Sequence, residues 1–170
     1  MSLLDKEPVK RVEKALKEFD KLLSIIVLKN SARTANDAAK SLDCEVGAIV
    51  KSLLFKTEEY FVLTLIAGDK RCSLNKLKKI TQKKDISMAD PNEVKTHTGY
   101  TIGGVSPVGH INEVKIFIDN SLERFKDLYA AAGHPNCVFK INYKNIQKIT
   151  NGKIEDIIEW KKQSWLIIFC

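Results

Sequence analysis

Residues 99–110 read GYTIGGVSPVGH, and four of these twelve residues are glycine. Glycine tolerates positive φ and lets another group approach the backbone closely. Consecutive backbone N–H groups without a partner can hold an oxyanion or a phosphate. The spacing matches neither the GxGxxG fingerprint nor a P-loop, because no P-loop lysine follows the glycines. The segment is therefore either a bulged turn between a helix and a strand or a loop against which a ligand lies.

A single charged residue interrupts the apolar segment GAIVKSLLF at residues 47–55, and that residue is Lys51. In such a strand a lysine usually points to solvent on the alternating face. A lysine that points inward is costly to bury and usually pairs with an anionic ligand. Both orientations remain open from the sequence.

Histidine, cysteine and serine give weaker signals. His134 follows Gly133 in the turn-like segment AAGHPNCVF. The three histidines and four cysteines lack the spacing of a zinc site, so we expect no metal and no cofactor. Ser106 lies in GVSPV, which is not the GxSxG elbow of a serine hydrolase. A catalytic triad is therefore not expected.

The chain is basic, with 28 Lys and Arg against 21 Asp and Glu and a formal charge of +7. Such an excess favours a polyanionic partner, although a generally lysine-rich surface would give the same total. Part of the excess is concentrated in residues 75–85, NKLKKITQKKD, which could form a basic ridge on a helix. The ridge lysines are Lys76, Lys78, Lys79, Lys83 and Lys84.

Apolar runs in the chain are short, and the longest cover residues 24–28, 60–68 and 165–169. None approaches the roughly 20 residues of a membrane-spanning helix. The first residues are amphipathic and mixed in charge, so no signal peptide is expected. The cysteines form no CxxC pair and are expected to be reduced thiols. We expect a cytoplasmic protein with no membrane partner.

Local signals predict interleaved helices and strands. Thr34 is a predicted N-cap, with Asp37 three residues on. Asp90 followed by Pro91 specifies a second helix start. Two β-rich segments flank KTEEY and predict a hairpin. The other predicted elements are helices at 8–23, 73–81, 142–150 and from Asn120, and strands at 24–29, 85–89, 114–119, 128–133, 137–141 and 153–158.

This order has no regular βαβ period and predicts one α+β domain over residues 1–170. We expect a compact fold with a mixed, mostly antiparallel, curved sheet surrounded by helices. Residues 8–28 supply an N-terminal helix and strand, and residues 160–170 form an apolar tail to which no role is assigned.

The segments GAIVKSLLF, GYTIGGVSPVGH and AAGHPNCVF occur in this order along the chain. In that order they resemble the YbaK-like aminoacyl-tRNA editing family, relatives of the editing insertion domain of prolyl-tRNA synthetase. The similarity covers about residues 34–157, with SARTANDAAKSLDC and MADPNEVKTHT also close to the family pattern. The resemblance implies the family's compact α+β fold.

The resemblance also implies a function and a set of site residues. The chain would deacylate mischarged aminoacyl-tRNA in trans, with tRNA(Pro) carrying a small wrong amino acid as the expected substrate. Its partners would be the aminoacylated 3′ end of tRNA and an aminoacyl-tRNA synthetase. Implied catalytic residues are Lys51, Gly103, Gly104, Ser106 and His134. Implied substrate contacts are Ser52, Val105, Pro107 and Gly133.

On this interpretation the loop is rich in glycine because the aminoacyl ester lies against its backbone. The ridge lysines would contact the tRNA backbone. A non-catalytic tRNA- or synthetase-binding module with the same fold is the alternative. A hydrolase of small esters or nucleotides, which would keep the pocket without the polyanion, is a third interpretation.

Overall fold

The computed structural model describes residues 1–30 and 32–159, which form an α+β domain. The α-helices of the described part are α1 Glu7–Phe19, α2 Ala35–Leu42, α3 Leu74–Thr81, α4 Pro91–Thr98 and α5 Tyr143–Thr150, and the predicted helix from Asn120 is a 3-10 helix, Asn120–Arg124. The strands are β1 Ile25–Val27, β2 Ile49–Lys56, β3 Phe61–Ala67, β4 Ser87–Met88, β5 Lys115–Asp119, β6 Leu128–Ala131, β7 Cys137–Ile141 and β8 Lys153–Glu155. The predicted tail 160–170 lies outside the described residues.

All eight strands belong to one mixed sheet with the order β1-β7-β6-β2-β3-β5-β8, and β4 pairs with β2 as well. The antiparallel pairs are β1–β7, β6–β7, β2–β3 and β2–β4. The parallel pairs are β2–β6, β3–β5 and β5–β8. The predicted fold class, an α+β domain with a mixed and mostly antiparallel sheet, is confirmed.

Two different strands share one edge of β2. Strand β6 pairs with it at Ile49 and Val50, whereas β4 pairs with it at Phe55 and Lys56. Between these two pairings, no described strand pairs with this edge of β2. The N–H of Ala89 donates to the Leu54 carbonyl at 3.0 Å, just before β4. The sheet therefore has an opening at residues 51–53.

Helix α1 packs on one face of the sheet. Its Val9, Val12 and Leu16 are fully buried in the same cluster as Val50 and Leu54 of β2. Each such side chain contributes about 1.5–3 kcal/mol through apolar burial. The other face of β2 and β3 packs against α3, whose Leu77 is fully buried with Phe55.

The predicted helix 8–23 is too long at its C-terminal end, because α1 stops at Phe19. Asp20 is extended, and its carboxylate accepts the Leu22 N–H at 2.8 Å. Such local hydrogen bonds compete with helix. Leu22 is 90% exposed, so no core contact favours continuing the helix.

The predicted helix starts and the hairpin are confirmed. Thr34 Oγ1 accepts the Asp37 N–H at 3.1 Å. Asp90 and Glu93 form a reciprocal capping box at 2.8 and 3.0 Å. Strands β2 and β3 pair in continuous antiparallel register, as the hairpin requires. No described helix is long and apolar enough to cross a membrane.

Candidate active site

A cavity of about 340 Å³ lies at the opening in the edge of β2. Lys51 and Ser52 line it from the strand, and Gly103 and Val105 line it from loop 99–110. Pro135 lines it from the turn between β6 and β7. Much of the remaining wall is small and apolar and includes Ala32, Ala35, Ala38, Ala89 and Ala131. A ligand that fits here meets a largely apolar wall and a few polar groups, among them Arg33 and Thr34.

Loop 99–110 and the Gly133-His134 turn are in direct contact. The Gly133 N–H donates to the Gly104 carbonyl at 3.0 Å. A Cβ on Gly104 would lie 2.9 Å from the His134 backbone nitrogen, so a side chain there would collide with backbone. The structure thus joins two of the three family-like segments, and the third lines the same cavity through Lys51.

Lys51 does not extend into bulk solvent. Its side chain is half-buried, and Nζ donates to the carbonyl oxygen of Lys70. Burial lowers the pKa of Lys51, an effect that the nearby Asp69 carboxylate partly opposes. Asp69 is itself held by Arg124 at 2.8 and 3.2 Å. Lys51 is therefore a cavity-lining residue whose partly desolvated ammonium binds one backbone carbonyl, that of Lys70, which does not itself line the cavity.

Three of the four loop glycines are required by contacts within the protein. Gly99, with φ +79°, ends α4 in the left-handed conformation. Gly109 has φ +73°, and a Cβ there would lie 2.6 Å from Tyr100 Oη. Gly104 is pressed against the His134 backbone. The resemblance implies that the loop is rich in glycine because the aminoacyl ester lies against its backbone. Among the four glycines, that reason therefore applies to Gly103 alone, which borders the cavity and has φ +93°.

The loop's backbone N–H groups differ in their partners. Gly104 donates to the Thr101 carbonyl at 3.0 Å and is occupied. Within the described residues, no protein acceptor pairs with the N–H of Gly103 or Val105, and both residues line the cavity. The loop N–H groups available at the cavity therefore include those of Gly103 and Val105, whereas that of Gly104 is occupied.

Other predicted site residues lie behind the cavity wall. Ser106 is fully buried, and its Oγ accepts the Val108 N–H at 3.3 Å. Pro107 is buried in the same loop. His134 Nδ1 accepts the Asn136 N–H at 3.1 Å, and burial together with the Lys6 charge lowers the pKa of His134. None of these residues lines the cavity.

Ser52 lines the cavity beside Lys51, in the opening between β6 and β4. Its Oγ is buried and has no hydrogen-bond partner within the described chain. A buried hydroxyl left unpaired costs about 1–3 kcal/mol. Ser52 is thus a polar group at the wall whose hydrogen-bonding capacity is not used by the protein.

The five ridge lysines fall into different environments. Lys76 pairs with Asp156 at 2.7 Å, and Lys83 pairs with Glu59 at 2.6 Å. Lys78 is partly buried on α3, whereas Lys79 and Lys84 are exposed. None of the five lines the cavity. The structure therefore separates the lysine segment from the candidate active site.

Sequence reasoning missed Arg11, which contacts the loop from α1, and Tyr100, which lies within the loop; neither residue lines the cavity. Arg11 donates to the Gly99 and Gly109 carbonyls at 2.9 and 3.0 Å. Tyr100 Oη lies 2.7 Å from the Val108 carbonyl oxygen and 2.9 Å from that of Gly109. Among the described residues, no three His, Cys, Asp or Glu side chains are grouped so as to hold a metal ion.

Comparisons with solved structures agree with this fold. The crystal structure of a candidate trans-editing enzyme for prolyl-tRNA synthetase superposes with a TM-score of 0.86 and 34% sequence identity. The match covers 91% of this chain and 99% of that one. A second structure, of the hypothetical protein APE2540, has a TM-score of 0.82, 27% identity, and coverage of 88% and 99%.

Sequence comparisons identify relatives of two sizes. YwhH of Bacillus subtilis (strain 168) is 29% identical over 147 residues, or 86% of this chain and 93% of that protein. Proline–tRNA ligase of Brachyspira hyodysenteriae is 34% identical over 125 residues, or 73% of this chain. The match spans 22% of the ligase. Residues 29–149 match the family model of the aminoacyl-tRNA editing domain. The chain therefore belongs to the aminoacyl-tRNA editing domain family.

Proposed function

We propose that this protein hydrolyses the ester bond of mischarged aminoacyl-tRNA in trans, with tRNA(Pro) carrying a small wrong amino acid as its substrate. Membership of the editing family supports the reaction class. Similarity to a candidate trans-editing enzyme and to part of proline–tRNA ligase supports the choice of tRNA. Similarity to a solved structure of a candidate trans-editing enzyme also supports action in trans.

The cavity at the open edge of β2 is the observation that carries the proposal. It combines the half-buried Lys51, loop residues with unpaired N–H groups and a largely apolar wall. The volume of about 340 Å³ limits the size of the group that the cavity accepts. One methylene in an apolar pocket changes selectivity by about 1–3 kcal/mol, which suits discrimination by size.

In the proposed reaction, a water molecule attacks the ester carbonyl carbon. Negative charge develops on the carbonyl oxygen, and the N–H groups of Gly103 and Val105 donate to it. A well-placed donor of this kind contributes about 3–4 kcal/mol to lowering the barrier. The bond to the ribose oxygen then breaks, that oxygen takes the proton given up by the attacking water and becomes a hydroxyl, and the amino acid is released. An aminoacyl ester is already activated, so no nucleophilic side chain is required.

Lys51 has a separate role in this proposal. In it, the ammonium of this cavity-lining residue holds the substrate carbonyl or the phosphate of the terminal adenosine. Because the group is partly desolvated, its attraction to an anion is stronger than that of an exposed lysine. Its bond to the Lys70 carbonyl keeps it oriented before substrate arrives.

A panel of mischarged tRNAs tests the proposal. Alanine, serine, threonine and cysteine are each attached to tRNA(Pro) and to a second tRNA, and release of the amino acid is followed over time. We expect at least one small amino acid to leave tRNA(Pro) faster than in buffer. Lys51→Ala, purified identically, controls for a contaminating hydrolase.

The other interpretations give different results in the same assay. Tight tRNA binding without release of any amino acid would make the chain a non-catalytic module. Equal turnover of free aminoacyl esters and aminoacyl-tRNA would make it a small-ester hydrolase. Release from both tRNAs at the same rate would retain the chemistry but remove tRNA(Pro) as the preferred carrier.

A further inference from the structure

Arg11 of α1 connects the two ends of loop 99–110. Its Nη2 donates to the Gly99 carbonyl at 2.9 Å, and its Nε donates to the Gly109 carbonyl at 3.0 Å. Its guanidinium carbon lies 4.8 Å from the centre of the Tyr100 ring. The remaining Nη1 pairs with Glu7, one turn earlier on α1. Each part of the guanidinium therefore has a defined partner.

These contacts need the planar geometry of arginine. The Gly99 carbonyl is at the C-terminal end of α4, where a cation is favoured by the helix dipole. The Gly109 carbonyl is ten residues further on and accepts from a different nitrogen of the same fork. A lysine has a single ammonium centre and cannot reproduce this fork. Arg11 therefore holds the loop ends at a fixed separation.

The same helix supports the second segment at the cavity. A Cβ on Gly133 would lie 2.7 Å from the Pro8 carbonyl carbon, so the start of α1 presses against the Gly133-His134 turn. Val9 and Val12, on either side of Arg11 on the helix, are fully buried. One helix thus contacts both the loop and the turn that approach the cavity.

We propose that Arg11 is a positioning residue, which fixes loop 99–110 so that the N–H groups of Gly103 and Val105 face the substrate. This inference rests on the proposed hydrolase function. Arg11 lies before residues 29–149, the part of the chain that matches the editing-domain model. The editing site of this chain would therefore include a positioning residue outside the matched domain.

Steady-state deacylation by the full chain tests the inference. Since small displacements of reacting groups can cost up to about 100-fold in rate, we expect Arg11→Ala to lower kcat by about 10- to 100-fold. KM should change little, because the tRNA contacts remain. Arg11→Lys keeps the charge but loses the fork, so it should be similarly impaired.

Two control variants separate positioning from charge and from stability. Lys10→Ala removes one positive charge from the exposed side of α1 and should leave kcat unchanged. Leu16→Ala removes a fully buried side chain of the same helix. It should lower the melting temperature at least as much as Arg11→Ala, with little effect on the kcat of the folded protein. An equal loss of kcat in Leu16→Ala would overturn a specific role for Arg11.

Amide hydrogen exchange gives a readout that does not depend on catalysis. In Arg11→Ala and Arg11→Lys, exchange in residues 99–110 should become faster relative to β2 and β3. Unchanged exchange, or faster exchange with normal kcat, would overturn the inference. A wild-type chain that hydrolyses no aminoacyl-tRNA would overturn the proposed function, while exchange would still decide whether Arg11 fixes the loop.

Discussion

Loop 99–110 and the lysine segment 75–85 are the two most biased stretches of the sequence, and the structure uses their biased residues differently. In the loop, three of four glycines are required by contacts with other parts of the protein. In the lysine segment, Lys76 and Lys83 have acidic partners, whereas Lys79 and Lys84 are exposed. A biased composition therefore marks a region of interest, but long-range contacts determine which residues remain available to a ligand.

The largest expected effect is a difference in stability between substitutions of two loop glycines, Gly109 and Gly103. Gly109→Ala places a Cβ 2.6 Å from Tyr100 Oη at φ +73°. Overpacking and left-handed strain together should destabilise the fold by about 2–4 kcal/mol. Gly103→Ala meets its nearest atom at an ordinary 3.4 Å and should cost about 1–2 kcal/mol through its φ of +93°.

Urea unfolding of both variants measures this difference, and deacylation rates complete the comparison. Gly103→Ala should lose activity out of proportion to its stability, because its methyl group alters the cavity wall. If Gly103→Ala is the less stable of the two, then the assignment of Gly109 to internal packing is wrong.

The next effect concerns the lysine of the cavity. Lys51→Ala should lower kcat by about 100-fold, as expected when one charged contact to the reacting group is lost. Lys51→Arg should also be impaired, because a planar guanidinium does not replace a compact ammonium. Stability should change by less than about 1 kcal/mol, since losing the bond to Lys70 is offset by removal of a partly buried charge.

A deacylation time course and a melting curve of each Lys51 variant check these expectations. Normal activity in Lys51→Ala would remove the lysine from the proposed mechanism. A large loss of stability would instead show that the bond between Lys51 and the Lys70 carbonyl supports the turn after β3.

The exposed and ion-paired lysines should differ in tRNA binding. Replacing Lys79 and Lys84 with glutamate should reduce the log–log salt slope of tRNA affinity by about one unit per lost phosphate contact. The matched pair Lys76→Glu and Lys83→Glu should change the slope less and the stability more, because each ion pair becomes a repulsion. Filter binding at several salt concentrations measures the slopes. Equal salt slopes for the two double variants would contradict the expectation that the exposed lysines contribute more to tRNA binding than the ion-paired lysines do.

Local elements of this fold are predictable because their signals lie within a few residues. The Asp90 cap and the β2–β3 hairpin are of this kind. The opening in the edge of β2 is not, because it depends on which distant strands pair there: β6, more than 70 residues later, leaves the edge before β4 begins. Arg11 was missed for the same reason, since its loop partners are 88 and 98 residues away.

The difference between local signals and long-range contacts also explains which features of the site could be predicted. Lys51 could be singled out because one charge in an apolar strand is visible in the sequence. The direction of its side chain, and the occupied N–H of Gly104, depend on the folded backbone. Family resemblance identifies the segments that meet at the cavity. The resemblance does not tell which residues of each segment line the cavity. Ser106, for example, is buried behind the cavity wall.

The smallest expected effect is a pH dependence of the loop's stability. His110 Nε2 lies 2.6 Å from the Ser106 carbonyl oxygen. Burial lowers the pKa of His110, the hydrogen bond to Ser106 opposes this in part, and His97 and Arg11 lower the pKa further. The folded state therefore favours the neutral ring, whereas the unfolded chain binds a proton below its ordinary pKa of 6.5. Stability contributed by the neutral ring is present above that value and is lost as the pH falls below it.

His110→Gln can still donate to Ser106 but does not titrate, so its melting temperature should fall less than that of the wild type between about pH 7.5 and pH 5.5. His134, whose pKa is also lowered, contributes equally to both proteins and cancels in this comparison. Parallel melting curves that fall equally with pH would show that His110 does not connect protonation to the loop.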